Sequence, residues 1–135
     1  MCNENRSQLT DRFEAFMLAG NATFTVVGRS SRYTYRARKS PDGAVHFVSV
    51  LNGTDNESDY AFIGTIVNGK FFAKGWRDNA ALPPSAVAFR WVWAHRADPA
   101  PAEVWHEGRC GRCGRKLTVP ESIQLGLGPE CAGLV

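Results

Sequence analysis

The sequence predicts an α+β fold: an N-terminal helix, about five antiparallel strands arranged as a meander sheet or small barrel with one packed helix, and a small cysteine-bearing C-terminal module. Three observations carry this. Between residues 22 and 75, short apolar runs alternate with polar residues at a period of two and are separated by turn residues. Two flanking stretches instead place apolar residues three and four apart, the stripe of an amphipathic helix. Finally, Cys110, Cys113 and Cys131 gather after the Pro/Ala-rich stretch Asp98–Ala102. The expected organisation is a core over 1–97, a stiff linker over 98–104 and a module over 105–135.

At 135 residues and 44% apolar, the chain is long enough to bury a core, and global disorder is excluded. A net charge of +3 says little alone; where the charges sit matters more. No apolar run approaches a membrane span, so no membrane partner is expected. The first 20 residues lack a basic-then-apolar leader, and the cysteines are spaced as metal ligands. Both point to a reducing cytoplasm.

In chain order, residues 1–8 are polar. Thr10 can cap a helix whose buried stripe is Leu9, Phe13, Phe16 and Met17, ended by Gly20-Asn21. Ala22, Phe24 and Val26 alternate with Thr23 and Thr25 in a half-buried strand. After a turn at Gly28–Ser31, Arg32, Thr34, Arg36 and Arg38 share one face of the next strand; Tyr33, Tyr35 and Ala37 share the other. Pro41-Asp42-Gly43 is a turn. Val45–Leu51 is apolar on both faces and reads as a central strand, with His46 as a structural histidine. Residues 52–59 form a polar, acidic loop. Tyr60–Val67 and Lys70–Lys74 make a hairpin closed by Asn68-Gly69, a strong type I′ signal. Ser85 is expected to cap a second helix running to about Arg96, with Ala86, Phe89, Val92, Trp93 and Arg96 on one side.

The arginine strand is the first functional candidate. Alternate strand residues repeat about every 7 Å, so the guanidiniums of Arg32, Arg36 and Arg38 form a row that suits phosphates along a nucleic-acid backbone. The alternative is a solvated strand face that discourages edge pairing.

The second candidate is the C-terminal set. Cys110-Gly111-Arg112-Cys113-Gly114 is a tight C-x-x-C turn that can bring two thiolates onto one metal. Cys131, after Gly128-Pro129, is a natural third ligand, and His106, four residues before Cys110, is the expected fourth. The expected cofactor is one structural zinc in a Cys3His site, with Cys2 and His95 as rivals for the fourth position. Four protein ligands would leave no place for a catalytic water. Arg112, Arg115 and Lys116 crowd the same turn, where they either contact phosphates or balance the thiolate charge.

The run from Cys110 through Thr118-Val119-Pro120-Glu121-Ser122 to Gly126-Leu127-Gly128-Pro129-Glu130-Cys131 resembles a small zinc-ribbon-like domain of unknown function. The resemblance covers about residues 105–133. It implies a zinc-ribbon or knuckle module and a bacteriophage or mobile-element setting among actinobacteria, and it says little about activity.

These readings make a binding protein, not an enzyme, with no small-molecule substrate implied. The leading expectation is zinc-stabilised nucleic-acid binding through Arg32, Arg36, Arg38, Arg112, Arg115 and Lys116. The alternative is a protein-interaction module, such as an anti-CRISPR-like inhibitor of a host defence or replication enzyme, anchored by Trp76, Trp91 or Trp105. A nuclease using His46 is the remote enzymatic reading; no carboxylate is tied to His46 by spacing. The His106-Glu107 pair lacks the H-x-E and P-C-x-x-C spacing of the zinc deaminases.

Overall fold

The computed structural model of the chain describes residues 7–8, 13–28, 31–53, 59–75, 81–98, 102–106 and 110–111. Seven strands, β1 (Ser7–Gln8), β2 (Asn21–Val27), β3 (Arg32–Lys39), β4 (Val45–Leu51), β5 (Tyr60–Val67), β6 (Lys70–Ala73) and β7 (Glu103–His106), accompany two helices, α1 (Phe13–Met17) and α2 (Pro84–Ala94). They form one antiparallel sheet in the order β1-β7-β2-β3-β4-β5-β6.

This corrects the expected architecture of a five-stranded meander or small barrel followed by a zinc-ribbon or knuckle module. Glu103–His106 lies inside the sheet, between β1 and β2, with His106 opposite Phe24 and Val104 opposite Val26. The physical reason is a two-residue alternation in Glu-Val-Trp-His: Val104 and His106 are fully buried, and they complete a core that β2 alone would leave open at its edge. Four residues are too short a run for that period to stand out from the sequence. Among the described residues β1 and β6 are the two edges, so the sheet they bound is open and not a barrel. Among the described residues no group of three or more His, Cys, Asp or Glu side chains is placed to hold a metal. Cys2, Cys113 and Cys131 lie outside those residues.

Both helices cover one face of the sheet. Phe13, Phe16 and Met17 of α1 and Ala86, Phe89, Val92 and Trp93 of α2 pack on Ala22, Phe24, Val26, Tyr35, Ala37, Val48, Val50, Ile63, Ile66 and Val104. Phe89 is the hub. Its ring centroid lies 6.3 Å from Phe24 on β2, 5.2 Å from Tyr35 on β3 and 4.9 Å from Phe71 on β6. Strands four apart in a flat sheet stand about 19 Å from one another. Phe24 and Phe71 both reach one ring, so the sheet curls around α2. A bulge between Val48 and Ser49 assists: Ile63 and Ile66, three residues apart, both face the core. Gly64 sits at that bulge, where a Cβ would stand 2.6 Å from both the Phe71 ring and the Phe72 carbonyl oxygen.

Two local expectations change. The residue before α2 is Pro83, with no side-chain cap, and Pro84 opens the helix; its fixed φ and missing N–H suit that position. Ser85 instead offers its carbonyl to the buried Tyr35 hydroxyl at 2.7 Å. Phe47, expected within a strand buried on both faces, is 44% exposed.

Candidate functional site

The sheet face turned away from the helices is built by strand parity and register. On β3, Tyr33, Tyr35 and Ala37 point toward the helices, so Arg32, Thr34, Arg36 and Arg38 point outward. Register extends this face in rows. Asn21, Arg38, Phe47, Thr65 and Phe72 stand side by side across β2 to β6. Thr23, Arg36, Ser49 and Phe62 form the next row. Toward the other edge, Trp105 is opposite Thr25, whose hydroxyl lies 2.8 Å from that of Thr34.

The three strand arginines are therefore brought together on one surface. Arg32 and Arg38 are exposed. Arg36 is half-buried, with its guanidinium carbon 3.9 Å from the Tyr60 ring centroid, a cation–π contact that reaches across the small Ser49 of β4. Lys70, opposite Val67, adds a fourth cation on this side. Among the described strand positions of the outer face the carboxylate is Glu103, which accepts from the Trp105 indole N–H at 3.2 Å.

Two residues of this face were not singled out from sequence. Phe47 and Phe62 are 44% and 43% exposed, with ring centroids 6.4 Å apart and edge-on geometry. They stand in the arginine rows. Phe47 shares strand parity with Val45 and Leu51 in a stretch that is apolar on both faces; its pairing with Arg38 appears only in the register.

His106, on the covered face, and Cys110, beyond β7, are both buried. The His106 ring lies 5.9 Å from that of Phe16. The adjoining Gly111 carbonyl accepts the Asn21 N–H at 2.7 Å, and a Cβ on Gly111 would meet the Phe16 ring at 2.6 Å. The structure thus sets the His106 imidazole under α1, on the opposite side of the sheet from the arginines, and buries the Cys110 thiol in the segment that follows β7. A buried imidazole and a buried thiol are the right donor types for zinc. His95, the rival ligand, stacks on Trp91 at 4.2 Å, and its Nδ1 lies 2.8 Å from the Trp91 carbonyl oxygen. His46 has its Nε2 3.1 Å from the Leu18 carbonyl oxygen, a structural contact tying α1's end to β4. Cys113, Cys131, Arg112, Arg115, Lys116 and Trp76 lie outside the described residues.

Fold and surface together define a small, open antiparallel sheet with helices on one side and a basic, aromatic-bearing face on the other. A family described as being of unknown function, DUF6011, matches residues 100–135, which takes in β7, Cys110 and Gly111 but neither helix nor β1–β6. No curated protein and no solved structure matches the chain. No helix of the described residues is long and apolar enough to cross a membrane.

Proposed function

We propose that this chain binds nucleic acid through phosphate contacts on the outer face of the sheet. The observation that supports it is the row of Arg32, Arg36 and Arg38 on the sheet face turned away from both helices, with Lys70 beyond and a single strand carboxylate among the described positions. Arginine presents planar donors that match phosphate oxygens, and contacts of this kind position a backbone without reading sequence. The direct test is binding of a labelled oligonucleotide to wild type and to a triple Arg32→Gln/Arg36→Gln/Arg38→Gln variant. Affinity should fall by about tenfold or more, because phosphate neutralisation dominates such binding. Equal affinity would overturn the reading.

The proposal includes one structural zinc held by His106, Cys110, Cys113 and Cys131. Its support is the pair of buried donors His106 and Cys110, four positions apart. When bound, zinc would fix the chain that follows β7 and would take no part in chemistry, since all four ligands are protein side chains. Arg112, Arg115 and Lys116 would add to the phosphate-binding surface. The cytoplasm of a host carrying a phage or mobile element is the setting that the C-terminal resemblance and the thiol usage favour.

A second reading, a protein-interaction module such as an inhibitor of a host enzyme, has its own observation. Val87 and Trp91, one turn apart on α2, are 43% and 40% exposed. Capture of a single host protein that survives nuclease treatment and is lost in Trp91→Ser would favour it.

A further inference from the structure

We infer that the preferred ligand is single-stranded nucleic acid, with bases stacked on Phe47 and Phe62 while the arginines hold its phosphates; this rests on the nucleic-acid reading above. Side chains as apolar as phenylalanine are ordinarily buried, yet Phe47 and Phe62 stand on the inner strands β4 and β5, each more than two-fifths exposed. They are not scattered. Their centroids are 6.4 Å apart, within the range of a mutually oriented aromatic pair.

Charge then selects the occupant. Phe47 is directly opposite Arg38, and Phe62 is reached from Arg36 through Ser49 in the same row. A protein partner chosen for apolar contact would have to bury these guanidiniums. A nucleotide supplies both complements at once: a π-face for the ring and an anion for the guanidinium one strand away. Cross-strand neighbours are about 5 Å apart at Cβ, so one nucleotide can meet both a ring and the guanidinium beside it.

Strandedness follows from access. In a duplex the base faces are stacked on one another and only base edges line the grooves, so a ring reaches a base face there only by prising a base step apart. An unpaired strand lays its bases on Phe47 and Phe62 without that unstacking cost, about a few kcal/mol per step. Stacking of this kind tolerates any base, because every base has a π-face.

The test compares a labelled oligothymidine, the same-length abasic strand and a duplex of equal length, using fluorescence anisotropy at fixed salt. The proteins are wild type, Phe47→Leu/Phe62→Leu, Phe47→Tyr/Phe62→Tyr and Arg36→Gln/Arg38→Gln, each checked for native circular dichroism. The expected result is single strand bound at least about tenfold tighter than duplex or abasic strand, a loss of that preference in the leucine variant, and its retention in the tyrosine variant. The arginine variant should weaken all three ligands. If duplex, abasic strand and single strand bind wild type equally and the leucine variant is unaffected, the stacking inference fails while phosphate binding stands. If no ligand responds to the arginine variant, both readings fall.

Discussion

Arg36 reaches over Ser49 to lay its guanidinium 3.9 Å from the centroid of the Tyr60 ring, joining β3 to β5 across the intervening strand. The small hydroxymethyl of Ser49 leaves the passage open. The contact also fixes the middle of the arginine row in place. A double-mutant cycle between Arg36→Met and Tyr60→Leu should give a coupling of about 0.5–1 kcal/mol in urea unfolding. Additive costs would show that the stacked geometry contributes nothing.

Gly64 is required by contact and not by φ. A Cβ there would meet the Phe71 ring and the Phe72 carbonyl oxygen at 2.6 Å, and the backbone oxygen cannot swing aside. Gly64→Ala should destabilise by about 1–3 kcal/mol, the usual cost of overpacking. An unchanged urea midpoint would contradict the bulge geometry.

Tyr35 couples stability to alkaline pH. Burial, with the neighbouring Tyr33 second, pushes its phenol well above the ordinary value, and its hydroxyl donates to the Ser85 carbonyl at 2.7 Å. The folded state therefore holds the proton after the unfolded chain has released it near pH 10. Tyr35's contribution is fully present below about pH 10 and is lost as pH rises beyond it, with a limiting slope of about 1.4 kcal/mol per pH unit. Tyr35→Phe should cost about 0.5–1.5 kcal/mol at neutral pH and should show a shallower decline above pH 10. Parallel declines in the two proteins would refute the assignment.

Metal analysis of protein purified without added metal should find one zinc per chain. His106→Ala and Cys131→Ala should each lose or weaken it, since a missing ligand opens a closed tetrahedral site. Full zinc in both variants, or none in wild type, would remove these residues from the ligand set.

Local rules made much of this fold legible. Asn68 and Gly69 take φ of 52° and 77°, the left-handed values that a type I′ hairpin turn demands and that this dipeptide announces. The stripe Phe13, Phe16 and Met17 and the stripe Ala86, Phe89, Val92 and Trp93 are buried as their spacing requires. The split of β3 into an aromatic inner face and an arginine outer face is pure alternation. What local rules missed was long-range. β7 pairs with β2 across some eighty residues of chain, and nothing in Glu-Val-Trp-His names its partner. The exposure of Phe47 and Phe62 follows from which face the helices cover, and the bulge at Ser49 breaks the two-residue count that would have related them. The candidate site was thus half visible: its cations were readable from one strand, its rings only from register.

The most direct measurement is the salt dependence of oligonucleotide binding by wild type and by the triple arginine variant, from about 50 to 200 mM monovalent salt. Three phosphates neutralised on a single strand predict a log–log slope near −2, at about −0.7 per phosphate, and a markedly flatter line when Arg32, Arg36 and Arg38 are glutamine. A wild-type affinity indifferent to salt, or identical slopes for the two proteins, would contradict the claim that this face of the sheet holds a nucleic-acid backbone.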